Sequence, residues 1–330
     1  MRYRATWETT AGADIAVLRD TATQAEARIA PALGNTCISF RVSDWQILDE
    51  PPDDTQLREH ASSYGIPILF PWPNRLRNAR FTFESREYRV PPSAGMPHAN
   101  HGLVRTRAWR TLSCEARGSC AVIESEIRST SFSDLADQYP SAFHLVVRYS
   151  LTDSELRIDA QAANVGHQRL PFGFGLHPYF RLPFGPAGRR DNCELRVPAA
   201  EIWELEEHLP TAQRRPPRGR FDLRQFQPLG RATYDDVYTA LEQPFRAVLR
   251  DPANEREIVV DAGDGQFNQF VVFAPHTRSI VALEPYTCVT DALNLAKEGV
   301  QTGLRVLEPE ESWTASTAIR VQRLSPADTE

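Results

Sequence analysis

No stretch of the 330-residue chain approaches the roughly 20 consecutive apolar residues that a membrane-spanning helix needs. The opening MRYRATWETT puts no apolar run behind its charges, so no secretory signal is expected either. Cysteine is scarce and scattered. Cys37, Cys114, Cys120, Cys193 and Cys288 are odd in number and form no C-x-x-C, which excludes a disulfide framework and a zinc cage and leaves reduced, mostly buried thiols. Charge of one sign is nowhere concentrated. The net charge is −6, with acidic and basic residues mixed, whereas a nucleic-acid surface needs clustered Lys and Arg. There is no internal repeat, no low-complexity tract and no linker between two compositions. These absences lead to an expectation of one domain over 1–330 with a frayed tail, SPADTE, at 325–330. Its setting is expected to be cytoplasmic, with neither membrane nor nucleic acid as partner.

What is present is a strand pattern. Hydrophobic residues make up 41% of the chain, enough for a core, and although the length suggests two domains, single all-β domains also run this large. RFTFESREYRV (80–90) alternates apolar and polar residues across a polar turn, as a hairpin does. FHLVVRYSLTDSELRIDAQAANV (143–165) repeats the pattern: Phe143, Leu145, Val147, Tyr149 and Leu151 share one parity, TDSE turns the chain, and Leu156, Ile158 and Ala160 follow. Two more strands are expected around the DAGDG turn in 256–275, and a closing pair in 304–322. Helical signals are few and short, at 54–63 and 290–299. SDWQILDEPPDDTQ (43–56) and the Pro- and Arg-rich HLPTAQRRPPRGRFDLR (208–224) read as long loops. Twenty-five prolines and frequent turns fit a large antiparallel β-sandwich, and no βαβ alternation supports a doubly wound sheet. GFG at 173–175 lacks the third glycine and following helix of a dinucleotide fingerprint.

Four segments concentrate unusual residues. In GIPILFPWPNRLRNARF (65–81), Pro67, Pro71 and Pro73 forbid a regular central strand and leave Asn74 and Arg75 on irregular backbone. Arg75 is a surface arginine or a planar fork for hydroxyls or anions. In PHANHGLVRTRAW (97–109), His98 and His101 form H-x-x-H, but no third ligand stands at metal spacing, so a hydrogen-bonding imidazole in a pocket is the better reading of His101. In GFGLHPYFRLP (173–183), Pro178 holds His177 in extended geometry beside Tyr179 and Phe180. Taken alone, His177 is a satisfied core residue or a proton donor at a pocket wall. In SIVALEPYTCVTDALN (279–294), Glu284 ends an apolar strand, where a carboxylate is costly unless paired or used. Finally, TYDDVYTAL (233–241) carries Asp235 and Asp236, of which only one can face a pocket from an extended segment.

Together these residues resemble the aldose 1-epimerases, or galactose mutarotases. The matching elements run in order over almost the whole chain: P-W-P-N-R at 71–75, H-G-L at 101–103, Y-P and the strand after it at 139–147, and G-L-H-P-Y-F at 175–180. L-P-T at 209–211, Y-D-D-V-Y at 234–238, L-E-P-Y-T at 283–287 and T-G-L-R-V-L at 302–307 follow. The resemblance implies an all-β fold, the large antiparallel galactose mutarotase-like supersandwich with few short helices. It also implies a small-molecule sugar as substrate, with no metal and no cofactor. Carried over position by position, it makes Glu284 the general base and His177 the general acid, with Asn74, Arg75, His101 and Asp235 holding sugar hydroxyls.

The roles suit the chemistry. Interconverting anomers means taking a proton from the anomeric hydroxyl and giving one to the ring oxygen, and Glu and His can be tuned toward neutrality by burial. Trp72 or Tyr179 could pack on the sugar's apolar face or belong to the core. P-W-P-N-R replaces the G-R-x-x-N-R of galactose mutarotases, and E-P-E at 308–310 replaces a late P-G turn, so the sugar need not be galactose. Arg77, Arg80, Arg105, Arg107, Arg214, Arg215, Arg218 and Arg220 lie in or near the site segments. They either pair with acidic residues or select a hexose 6-phosphate or acidic sugar. A non-catalytic sugar-binding protein on the same fold and a metal-dependent sugar isomerase are the rival readings.

Overall fold

The computed structural model describes residues 1–324. The tail expected at 325–330 lies outside the described residues. The hairpin read from alternation is present: Phe143–Thr152 and Glu155–Asn164 pair in unbroken antiparallel register from Phe143↔Asn164 to Thr152↔Glu155. One parity of each strand is buried because one face of the pleat meets the core. This hairpin sits in a nine-stranded antiparallel sheet, flanked by Cys120–Arg128 and Ser312–Arg323. An eight-stranded sheet runs from Leu209–Arg215 through Ala199–Glu206, Tyr234–Leu241, Gln269–Ala274 and Ile280–Tyr286 to the short strands Gly175–Leu176 and Ile68–Leu69. A five-stranded sheet, Tyr3–Thr10 to Trp45–Gln46, covers the amino-terminal side. One apolar core draws side chains from all three sheets. At its centre the rings of Phe70 and Phe143 meet edge-on at 4.9 Å, and truncating either to alanine would cost about 3–5 kcal/mol. The two α-helices among the described residues are short, Asp54–His60 and Ala292–Lys297.

The structure refines or corrects several expectations. The two strands expected around the DAGDG turn are present, in different sheets: Arg256–Asp261 joins the nine-stranded sheet and Gln269–Ala274 the eight-stranded one. The connection crosses from one sheet to the other because Phe267 within it is itself buried. Likewise Arg305–Leu307 pairs with Leu170–Phe172 and not with Ser312–Arg323. In the E-P-E turn, Glu310 takes the positive φ (69°) that glycine adopts more readily. The segment 208–224 is not one long loop. Glu207 and His208, both at positive φ (48° and 64°), make a two-residue hairpin turn between Ala199–Glu206 and Leu209–Arg215. Within 43–56, Trp45–Gln46 forms a strand and the first helix begins at Asp54. Glu284 does not end its strand but lies inside Ile280–Tyr286.

Candidate functional site

The eight-stranded sheet has two unlike faces. Tyr238, Phe270, Val272, Val281 and Leu283 point into the main core. The opposite face is fixed by the register. Asp235 pairs with Phe273, Phe273 with Ala282, and Ala282 with Tyr179. Two residues further along each strand, Val237 pairs with Val271 and Val271 with Glu284. Beyond Glu284 the partner strand is interrupted by His177–Pro178, between Gly175–Leu176 and Tyr179–Arg181. The pairings Gly175↔Tyr286 and Tyr179↔Ala282 share one register, so His177 falls directly opposite Glu284 on this face.

The two side chains meet. His177 Nε2 lies 3.2 Å from Glu284 Oε1, and both residues are almost sealed from solvent, at 5% and 1% exposure. The Tyr286 hydroxyl donates to the other oxygen, Oε2. Gly175 makes room for that tyrosine, since a Cβ there would stand 2.5 Å from the Tyr286 ring. The His177 ring stacks on Tyr179 at 4.2 Å. Burial pushes the Glu284 carboxyl well above the usual carboxylate range, against the pull of the Tyr286 hydroxyl and the Arg75 charge. Burial pushes the His177 imidazole down to about 3. Both shifts favour the neutral forms, so the proton the pair shares rests on Glu284 with the His177 ring uncharged.

A second cluster borders this pair. Arg75–Leu76 pairs with Ala99–Asn100, which puts Asn74 opposite His101. Both take positive φ, 57° and 65°, and they clasp each other. The His101 N–H donates to the Asn74 carbonyl at 2.9 Å, and the Asn74 N–H donates to His101 Nδ1 at 3.2 Å. With Nδ1 occupied as acceptor, the neutral ring carries its hydrogen on Nε2. Burial holds the His101 ring well below the ordinary histidine range, so it stays neutral. The Arg75 guanidinium donates to Asn74 Oδ1 (3.2 Å) and to Asp235 Oδ2 (3.3 Å), while half-exposed, as is Asp235. The His101 and His177 rings are 5.2 Å apart, edge to face. Asn74, Arg75, His101, His177, Asp235 and Glu284 therefore converge from segments spread over the chain. Asp236 faces the other way, as strand alternation requires, and burial raises its carboxyl to about 6.

Other expected features stand apart. His98 accepts from the Asn78 N–H, away from the His101–Asn74 clasp. Among the described residues no group of three or more His, Cys, Asp or Glu is placed to hold a metal ion. Trp72 is a core residue stacked on Tyr139. Of the nearby arginines, Arg77 pairs with Asp291, Arg107 with Asp134, Arg214 with Glu201 and Arg215 with Glu204. Two residues at the site, Tyr286 and His208, went unremarked in the sequence, and a third, Arg105, was grouped with the other arginines. Tyr286 stands two residues from Glu284 and so on the same face, a signal the alternation carried. His208, at the hairpin turn, puts Nδ1 2.8 Å from Asp235. The Arg105 charge is felt at Tyr179 and at both site histidines.

Comparison with known proteins agrees with this geometry. Residues 18–320 match the sequence profile described as aldose 1-epimerase. The chain belongs to the aldose 1-epimerase family. A family relative, the uncharacterized protein YihR of Escherichia coli K12, is 23% identical over 230 residues, 69% of this chain and 71% of that protein. A galactose mutarotase-like protein from Clostridium acetobutylicum superposes with a TM-score of 0.87 at 19% identity, covering 97% of this chain and 98% of that one. A galactose 1-epimerase from Lactobacillus acidophilus gives 0.78 at 15% identity, covering 97% and 99%. At these identities the structural likeness is one of fold, and the fold is the all-β galactose mutarotase-like one expected from the sequence.

Proposed function

We propose that the protein is a mutarotase, interconverting the α and β anomers of an aldose, with Glu284 as general base and His177 as general acid. The observation that carries this reading is the buried His177–Glu284 contact, with burial pressing the carboxyl up and the imidazole down. In the ring-opening direction the Glu284 carboxylate takes the proton of the anomeric hydroxyl. Electrons from that O–H form the C1 carbonyl as the C1–O5 bond breaks, and O5 takes a proton from the His177 imidazolium. Rotation about C1–C2 presents the other face of the aldehyde, and closure runs the same transfers in reverse. The pair holds one proton throughout: burial rests it on Glu284, so it passes across the 3.2 Å contact to His177 before opening, and opening returns it to Glu284. Each positioned proton transfer is worth about 10²–10⁴ in rate. Asn74, Arg75, His101 and Asp235 hold the hydroxyls, so that both transfers meet their atoms.

The decisive experiment is anomer exchange followed by NMR on a panel of aldoses. Glu284→Gln is expected to abolish exchange while sugar binding and folding persist. A Glu284→Gln protein that turned over like the parent would remove Glu284 from the reaction. The same single-proton requirement predicts a pH profile flat through neutrality. Its acid limb should lie below the ordinary histidine value of about 6.5, because burial opposes a second proton on the pair.

A further inference from the structure

Arg77, Arg107, Arg214 and Arg215 are matched by carboxylates, whereas Arg105, the one that bears on the substrate, is not. Arg105 is half-buried, and its hydrogen bond within the protein runs from Nη1 to the Ser62 hydroxyl at 2.8 Å. Among the described residues no carboxylate lies within ion-pair distance of it. Its charge nevertheless reaches the ring of His177, that of His101 and the hydroxyl of Tyr179. Its backbone is anchored, since Gly34 (φ 77°) packs so closely that a Cβ there would stand 1.9 Å from the Arg105 carbonyl oxygen. A second guanidinium lies near the same segment. Arg278 lies over the rings of Tyr179 and Tyr64, at 5.3 and 5.2 Å, and donates to the Ser63 carbonyl at 3.2 Å. Both arginines are thus seated on the same short segment, 62–64, with Arg278 over the Tyr179 ring and the Arg105 charge felt at the Tyr179 hydroxyl. Arg278 is offset by Asp49 at 2.5 Å; Arg105 is not. The Tyr179 hydroxyl, above which His177 stacks, makes no hydrogen bond to any described residue.

We infer that Arg105, Tyr179 and Arg278 form an anion-binding subsite, and that the preferred aldose carries a negatively charged group on its exocyclic carbon. The inference rests on the mutarotase reading and adds the substrate class to it. In a pyranose the carbon that bears the exocyclic C6 also bears the ring oxygen. A donor that protonates the ring oxygen therefore stands beside C6, and beside His177 stands Tyr179, with the Arg105 charge felt at both. A half-buried guanidinium left without a counter-ion is unfavourable. An anionic oxygen supplies that counter-ion through charge-assisted hydrogen bonds, about twice as strong as neutral ones, with Arg278 and the tyrosine hydroxyl as further donors. A neutral sugar leaves the charge unmatched. Phosphate, sulfonate and carboxylate share this chemistry.

The test compares anomer exchange of glucose and galactose with that of their 6-phosphates, 6-sulfonates and uronic acids on the full chain. One anionic sugar is expected to exceed its neutral parent about 10- to 100-fold in kcat/KM, the range of one hydrogen bond to a charged group. Arg105→Gln should collapse that ratio, mainly through KM, with Arg105→Lys retaining part of it and Tyr179→Phe lowering it less. Equal turnover of neutral and anionic sugars, or a ratio untouched by Arg105→Gln, overturns the inference and leaves the mutarotase reading standing. Should no sugar exchange, the mutarotase reading fails, and titration with inorganic phosphate and sulfate still tests the subsite. Binding that weakens in Arg105→Lys and disappears in Arg105→Gln supports it; no binding, or binding indifferent to both substitutions, removes it. The two substitutions guard against a glutamine variant that fails to fold.

Discussion

The molecule contains two buried glutamates that each touch a histidine, and they behave oppositely. Glu284 meets His177 at 3.2 Å on the site face of the eight-stranded sheet. Glu126 meets His144 at 2.7 Å on the nine-stranded sheet. Burial pushes both carboxyls up. At Glu126 the Arg110 guanidinium, donating from Nε at 2.8 Å, and His144 together more than reverse that push, so its carboxyl ends below the ordinary range. At Glu284 the Tyr286 hydroxyl and the more distant Arg75 reverse only part of it. A carboxylate given a contacting cation is a fixed charge. The same group given only a hydroxyl and an imidazole is a place for a proton to rest and leave.

The largest way to sharpen the contrast is Glu284→Gln, which keeps the shape and removes the titration. Exchange should fall by about 10²–10⁴, read by NMR at saturating sugar, and His177→Asn should fall comparably with a displaced pH profile. Tyr286→Phe is expected to lose roughly tenfold, the scale of one hydrogen bond of about 1.4 kcal/mol. It should also move the basic limb of the profile upward, since the lost hydroxyl is what lowers the Glu284 carboxyl. A profile that stayed put would mean the tyrosine only packs.

Stability separates the two glutamates as well. Glu284 binds its proton more tightly in the folded than in the unfolded chain, so its contribution is complete below the ordinary value near 4.3. That contribution is lost as pH rises through the raised folded value. Thermal denaturation of Glu284→Gln should therefore show a melting temperature above the parent's by a few degrees at neutral pH, with the difference vanishing in acid. Glu126 has the reverse sign. Its contribution is present above the ordinary value and lost as pH falls through its lowered one. Glu126→Gln should cost about 1–3 kcal/mol at neutral pH, and less in acid, while anomer exchange stays at the parent rate. A stability loss that persisted unchanged in acid would assign the cost to packing instead.

Much of this was legible in the sequence, and what was not has physical reasons. Alternation located the strands of 80–90 and 143–164 because a half-buried pleat imposes period two. It read 304–322 as a pair, whereas Arg305–Leu307 lies against Leu170–Phe172, because periodicity reports which face a residue takes and not which strand lies beside it. The hairpin at Glu207–His208 was hidden because neither residue is the Gly or Asn that such turns favour. The site segments were read one at a time from their composition, and their convergence came from the family resemblance. The register that sets His177 across from Glu284 is written in neither segment alone. Arg105 looked like any other arginine because the lack of a carboxylate neighbour is a property of space, not of sequence.

The clasp, the fork and the proposed acid and base come from residues 74–75, 101, 177, 235 and 284, and the two halves of the His177–Glu284 pair are 107 positions apart. No local hairpin or helix contains any two of the groups that must cooperate, apart from Asn74 and Arg75. Such long-range pairings form late and slowly, because loop closure must precede the contacts that reward it. Recovery of activity during refolding should therefore lag behind recovery of β-structure, which makes anomer exchange a stricter measure of completed folding than any spectroscopic signal of the strands.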